Sequence, residues 1–523
     1  MGLAKTLRGP VGSFLLFAAL ASISSCSSKK TSSVSSAQFL APQNQQVELL
    51  VSRLEINRVV HPGVLDSVLE PINPVLNIVG KLNKDLLLIY NGENDSRDLL
   101  TINFNDNSVK KVMTKEQFLE IFNQQAQKPN VGTVTPLLNG WLLGFETTSN
   151  SLFAIREFPE GSGEIVANLV LDQATIQDQV FPDEGGGGPP VTKAVVKAKS
   201  LVEFQPNEVL LIPATTNITS LHHLRVEEVL VEDEFGVSHP VLNGHFILLP
   251  PPGEPAETQL REGFLEFDKV RVKTGNTAVN FIDFPPIALP GTNRVLLFDG
   301  SIATSSFITL IYSLEPLGKD QPELVYRARV EILADKTDIT DAISAANSGG
   351  EPFSGTLKFQ APFLHPGASL ATTDPNYRSQ VLSFESETNN VFAIDWTAPE
   401  GSDRVQVFSS ANQLSSRTDL HPDPISQPGT FDPDLLFARN DVLRNRIAWD
   451  QGPGDLLSLS YETGQWVVVL HKADISKQTD SGLVTLNFVE AVDTDNLRVV
   501  DLESSTVLGI RLSYQSIPVS FPR

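Results

Sequence analysis

The sequence predicts an all-β fold assembled from repeated hairpins, and three observations predict it. From about residue 48 onward, apolar runs of four to six residues alternate with Asn, Asp, Gly, Ser and Thr, as strands alternate with turns. Most of these runs are followed at once by a second apolar run, so each pair reads as a hairpin. One hairpin recurs 239 residues further along. "FETTSNSLFAIREFPEGSG" from Phe145 and "FESETNNVFAIDWTAPEGSD" from Phe384 share Phe-Glu, then Phe-Ala-Ile at the same offset of eight residues, then Pro-Glu-Gly-Ser.

Taken in chain order, "SSKKTSSVSSAQ" and the residues up to 47 are Ser-rich and carry no apolar period, which predicts a flexible tether over 26–47. The strand-like runs are "DLLLIYNGEND", "GWLLGFETTSN", "NEVLLIPATTN", "NRVLLFDGSIA", "SQVLSFESETN", "DLLSLSYETGQ" and "LRVVDLESSTV". Second strands follow as "LLTINF", "SLFAIREF", "SFITLIYS", "NVFAIDW", "WVVVLHK" and "VLGIRLS". Two short helices are expected. Residues 114–127 open with Thr114 and Gln117 at capping-box spacing, and Phe118, Ile121 and Phe122 form a stripe; residues 340–350 end in a glycine pair. "FPDEGGGGPP" gives a long loop or hinge at 183–190, and "LLPPPGEPAE" and "DFPPIALPG" are loops because proline cannot donate to a sheet ladder.

Weaker echoes join "PLLNGWLLGF" (136–145) to "PVLNGHFILLP" (240–250), and "HPG" occurs at 61–63 and 365–367. Seven self-similar hairpin units mean a repeat architecture. The chain resembles a β-propeller of about seven blades with long loops, although neither a WD dipeptide nor a kelch double glycine recurs from unit to unit as a blade signature. Two β-sandwich or barrel domains related by the long repeat are the alternative.

The single cysteine of 523 residues, Cys26, closes the segment "MGLAKTLRGPVGSFLLFAALASISSC". Lys5 and Arg8 start it, Phe14–Ile23 is apolar, and Ser24 and Ser25 precede the cysteine: the parts of a secretory signal. The apolar run is too short to span a bilayer. Ile23-Ser24-Ser25-Cys26 resembles the lipobox of bacterial lipoproteins. That resemblance implies cleavage between Ser25 and Cys26, a diacylglycerol thioether on Cys26 with acylation (palmitate) of its new amine, and, with Ser27 following, the outer membrane. Whether the domain faces the periplasm or the outside is not legible. The myristoylation pattern at Gly2 and Thr6 leaves the apolar run and Cys26 without a role. A lipid-blocked cysteine leaves no disulfide, so the fold rests on its core.

Loss of residues 1–25 removes two positive charges and takes the net charge from −23 to −25. That balance argues against nucleic acid and against docking on anionic lipid; it suits cationic partners, divalent ions or solubility. With the thiol taken, cysteine catalysis is excluded. No HExxH, His-x-His, G-x-S-x-G or S-x-x-K set occurs. His222 and His223 are adjacent in a strand and face opposite ways, so they cannot share a metal. His61, His365 and His421 precede proline, as turn residues do. The acids of 91–98, 421–434 and 492–496 read as turn acids, and none matches a calcium loop. Trp141, Trp396 and Trp466 lie in strand cores; Trp449, beside a turn, is the one candidate for stacking on a ligand.

These readings lead to a lipid-anchored, non-enzymatic binding or scaffold module with a protein or glycan partner. No catalytic residue, metal or cofactor is assigned. An envelope glycan hydrolase or lyase using paired carboxylates is the second reading, and a surface adhesin the third.

Overall fold

A computed structural model describes residues 38–518 apart from 61–75, 84, 92–97, 124–129, 181–194, 215–221, 234, 248–285, 300–304, 319–320, 347–352, 354, 400–403, 421–434, 438–444, 451, 453, 480–483 and 492–494. Phe39–Ile517 form one compact unit.

Every strand among the described residues belongs to one of seven small sheets, and the chain is a seven-bladed β-propeller. The first strand, β1 (Gln38–Val51), is held back for the last blade. Blade 1 is β2 (Leu76–Lys81), β3 (Leu86–Asn91), β4 (Leu99–Asn103) and β5 (Val109–Met113); blade 2 is β6 (Val131–Pro136), β7 (Leu142–Glu146), β8 (Ser151–Glu157) and β9 (Ile165–Leu171). Blade 3 is β10 (Ala198–Gln205), β11 (Glu208–Pro213), β12 (His222–Glu232) and β13 (Ser238–Ile247). Blade 4 is β14 (Ile287–Ala288), β15 (Arg294–Asp299), β16 (Ser306–Gly318) and β17 (Gln321–Ala334). Blade 5 is β18 (Phe363–Leu364), β19 (Gln380–Glu385), β20 (Asn390–Asp395) and β21 (Val405–Ser409). Blade 6 adds a fifth strand: β22 (Thr418–Asp419) runs parallel to β26 (Trp466–His471), outside β23 (Leu435–Phe437), β24 (Arg446–Asp450) and β25 (Asp455–Leu459). Blade 7 is β27 (Leu486–Ala491), β28 (Asn496–Asp501), β29 (Thr506–Pro518) and then β1, so the N-terminal strand completes the C-terminal sheet. Seven sheets exclude two sandwich domains. Residues 38–47 lie in β1 rather than in the flexible tether expected over 26–47; residues 26–37 and the segment 183–190 lie outside the described residues.

The continuous apolar runs follow from this packing. Blades stack face to face, so an inner strand is buried on both sides and loses the alternation of a solvent-facing strand. All five residues of β7 and all six of β11 and β26 are buried. The cores therefore lie between neighbouring blades. One contains Leu88, Phe118, Leu142 and Phe153; the next contains Phe145, Leu152, Leu211 and Leu224.

A meander of four strands gives the molecule two unlike faces. Loops from second to third strand and from blade to blade share one, here the connection face. Loops from first to second and from third to fourth strand share the other, the hairpin face. Among the described residues, six short helices sit in blade-to-blade connections: α1 (Arg53–Val60), α2 (Lys115–Ile121), α3 (Gln173–Val180), α4 (Lys336–Ala346), α5 (Ala411–Ser415) and α6 (Lys472–Thr479). Both expected helices are present, and four more join them. Thr114 and Gln117 form the reciprocal capping box their spacing implies, and Ser410 with Gln413 repeats it.

The echo between 136–145 and 240–250 is not structural. Residues 136–145 turn a hairpin between β6 and β7, whereas Pro240–Ile247 lies within the single strand β13.

Candidate interaction surface

The connection face is built on buried carboxylates. The last residue of the second strand is an acid in five blades: Glu146, Asp299, Glu385, Asp450 and Asp501, each 0–1% exposed. Each faces the first residue of the third strand: Ser151, Ser306, Asn390, Asp455 and Thr506. In blade 5, Glu385 accepts from the backbone N–H of Lys358 (2.7 Å), Glu387 (3.1 Å) and Thr388 (2.7 Å) and from the Thr388 hydroxyl (2.5 Å). Glu146 accepts from Asn130, Thr148 and Ser149, and Asp501 from Thr485, Glu503 and Ser504. One carboxylate thus closes the hairpin turn and pins the incoming strand to it. Asn150, Asn389 and Ser505 end these turns at φ of 53°, 56° and 51°, the left-handed region a four-residue loop needs before the chain re-enters the sheet. Glu146, Glu385 and Asp501, so enclosed and so engaged, serve the architecture rather than a ligand.

This register explains the tryptophans. Trp449 precedes Asp450 as Phe145, Phe298 and Phe384 precede Glu146, Asp299 and Glu385, so it is blade 6's core aromatic. It is 1% exposed and unable to stack on a ligand from solvent, which corrects the sequence reading. The error has a cause. "DLLSLSYETGQ" contains the third strand of blade 6, whereas the other six runs contain the second strands of their blades; the true counterpart is "RIAWDQGPGD". Trp141, Trp396 and Trp466 are buried as expected.

The histidines occupy structural positions. His222 packs edge-on against Phe246 and burial takes its pKa from 6.5 down to about 4. His223 turns to Phe204 and lies 2.5 Å from Glu208, which also holds Arg225 at 2.8 Å. Burial alone would push the Glu208 carboxyl up; His223 and Arg225 outweigh it and hold it below its ordinary value. His365 caps a 3₁₀ turn (Pro366–Ser369) by accepting the Gly367 N–H at 3.0 Å, the turn role its Pro neighbour implied. Of the acid clusters, Asp98 pairs with Lys111 at 2.6 Å, and 421–434 and 492–494 lie outside the described residues. Ser25, Cys26, His61 and His421 also lie outside them. Among the described residues no three His, Cys, Asp or Glu side chains converge as metal ligands, and no helix is long and apolar enough to cross a membrane.

The hairpin face carries the apolar surface. Of the nine large hydrophobics exposed among the described residues, five gather there in blades 2 and 3: Leu138 (78% exposed), Leu230 (67%), Val231 (49%), Phe235 (81%) and Val237 (51%). Four belong to the hairpin of β12 and β13, whose ladder continues in register from His223↔Ile247 out to Glu232↔Ser238. The described residues at its tip share hydrogen bonds of their own. The Asp233 N–H donates to the Val237 carbonyl at 2.9 Å, and Asp233 Oδ1 accepts from the N–H groups of Phe235 (2.9 Å) and Val237 (2.8 Å). Asp233 Oδ2 lies 3.0 Å from His239 Nε2. The Val237 N–H and His239 hold the Asp233 carboxyl below its ordinary value. Gly236 takes a φ of 76°, a tight-turn conformation that glycine adopts without penalty.

The hairpin is also fixed at its base. Glu228 accepts from Trp141 Nε1 at 2.7 Å and from Arg156 at 2.6 Å, and the Arg156 guanidinium lies over Trp141 at 5.4 Å. Asn168 of β9 exchanges two hydrogen bonds with Leu242 of β13, at 2.8 and 3.0 Å. Gly244 lets the strands approach: a Cβ there would stand 2.7 Å from Val170. Sequence reading passed over this hairpin because "VEEVLVEDEFGVSHPV" is too acidic to read as a strand run. The cue was Asp233 and Gly236 bracketing an aromatic between two β-branched segments.

No protein-family model matches the chain, and no curated protein does. Among solved structures it is similar to virginiamycin B lyase from Staphylococcus aureus, a catalytically inactive form with quinupristin: 9% identity, 90% of this chain and 100% of that one, TM-score 0.39. It is similar to the Nup170 N-terminal domain of Chaetomium thermophilum in its Nup53 complex: 9% identity, 92% of this chain and 63% of that one, TM-score 0.40. YCF48 from Cyanidioschyzon merolae matches at 10% identity over 85% of this chain and 97% of that one, TM-score 0.38. Likeness at this level carries no argument about what the chain binds.

Proposed function

We propose that this protein is a lipid-anchored, non-enzymatic binding or scaffold module of a bacterial outer membrane, attached through Cys26. One observation carries the binding role: a rigid hairpin presents Phe235, Leu230, Val231 and Val237 to solvent. Exposed aromatic and aliphatic side chains on an ordered scaffold are what interface anchors are made of. The lipobox-like Ile23–Cys26 supports the anchor, and the net charge of −23 argues for partners other than nucleic acid. The connection face contributes a framework: carboxylate pins close the turns of blades 2, 5 and 7 on the side opposite the hairpin.

Crosslinking in intact cells of the native host, followed by mass spectrometry, tests the reading on wild type beside Cys26→Ala. A stoichiometric protein partner lost with the anchor is the expected result. Absence of any partner above background overturns the module and redirects work to glycan arrays and hydrolase assays.

A further inference from the structure

We infer that the blade 3 hairpin docks into an apolar cleft rimmed by lysine and arginine on a protein partner; the inference rests on the binding-module reading and names its contact element. Three features of the hairpin carry it. The first is the tip itself, where Phe235 is 81% exposed, Val237 stands beyond Gly236, and Leu230 and Val231 are exposed on opposite faces of the strand leading to it. The second is pre-organisation. The Asp233 carboxylate holds the N–H groups of Phe235 and Val237, which lowers the ordering entropy lost when the ring is buried.

The third is charge. Glu227, Glu228 and Glu232 are exposed along the same hairpin and Asp233 is half-buried at its tip. The nearby cations are engaged: Arg156 with Glu228 and Arg225 with Glu208. An apolar point inside an acidic collar selects against an anionic bilayer, which would repel the collar before the ring could insert. It also selects against a second copy of this acidic chain. A cationic rim is the complementary surface, and it steers association as the aromatic supplies the anchor.

Chain direction adds a spatial condition. Leu50 lies over Gly509 near the start of β29, and Val51 shares a core with Val500 and Val507, so β1 ends at the connection face and begins at the hairpin face. Cys26 precedes Gln38 by twelve residues, a span of at most ~40 Å even fully extended. The chain therefore enters β1 from the face that carries the hairpin.

The test places a photo-crosslinking phenylalanine analogue at Val237 in the full chain, in the native host, with Leu54 on α1 as the control position. The expected product is one protein, joined at a peptide bordered by Lys or Arg, and absent from the Leu54 probe. Phe235→Ala, and separately the pair Glu227→Lys with Glu232→Lys, should each cut the yield roughly tenfold. All these side chains are exposed, so the variants fold, and an unchanged thermal midpoint verifies it. Adducts on lipid, on a second copy of the chain, or unaffected by charge reversal overturn the inference. If a stoichiometric partner co-purifies but Val237 does not label it, the hairpin assignment falls and the module stands; if none co-purifies, both fall.

Discussion

Glu385 illustrates how a single residue sets a blade. Its carboxylate satisfies three backbone N–H groups and a hydroxyl at zero exposure. In Glu385→Gln one acceptor oxygen becomes a donor that faces N–H groups, leaving buried donors unpaired. The expected loss is about 2–4 kcal/mol in denaturant unfolding. Glu387→Gln, two residues away and ion-paired with Lys358 at the surface, should change stability by less than about 0.5 kcal/mol. Equal effects would remove the pin from the architecture. His222 makes a second prediction at this scale. Its folded pKa is about 4 against 6.5 in the unfolded chain, so below pH 6.5 the unfolded state takes up a proton the folded state refuses. The contribution is intact above 6.5 and erodes down to about 4. Across that gap it amounts to about 3 kcal/mol. His222→Phe keeps a ring against Phe246 and should flatten the pH dependence of the denaturation midpoint relative to wild type; parallel curves would exclude His222. The pins were half visible in the sequence, since Phe-Glu recurred at 145 and 384. Their role was not, because an acid after an apolar run reads as a solvated turn, and only the packing of a second loop above it buries it.

At the scale of elements, legibility followed local chemistry. Strand runs were plain because inner strands are buried on both faces and cannot carry polar residues, and the seven runs fell one to each blade. Helices were less plain. α2 was found from its complete capping box and stripe. α1, α3, α5 and α6 were missed because each is eight residues or shorter and buries one or two side chains, such as Ile56 and Val60 or Ile176 and Val180. So short a stripe leaves little periodicity. What unites them is position. Ser52, Thr114, Asp172, Asp335 and Ser410 each stand four residues before a buried side chain: Ile56, Phe118, Ile176, Ile339 and Leu414. Cap and core residue recur from blade to blade, and that period becomes visible only when the chain is cut at the blade boundaries. The blade 3 hairpin was missed for the opposite reason. Outside the body of a blade nothing requires apolar alternation, so a strand pair can be acidic and remain a strand pair.

For the whole molecule the decisive element is β1. Six blades are formed from consecutive chain, and each can assemble locally. Blade 7 needs residues 38–51 beside 506–518, the longest sequence separation in the fold. The strand brings more than hydrogen bonds. Val51 and, from the helix that follows it, Ile56 and Val60 fill a core shared with Leu76, Leu87, Val500 and Val507 of the first and last blades. Burying three such side chains at about 2 kcal/mol each stabilises the closed ring by about 6 kcal/mol. A chain starting at residue 61 should therefore lose cooperative unfolding and expose the edge of β29, a row of unpaired backbone groups that templates aggregation. A peptide of residues 38–60 supplied separately should restore the transition, with a midpoint that rises with peptide concentration as mass action requires. If the truncated chain unfolds at the wild-type midpoint, β1 is an ornament on a ring that other contacts close. If the peptide rescues it, closure by β1 is the step that completes the fold. The ladder between β1 and β29 is then what holds the propeller shut.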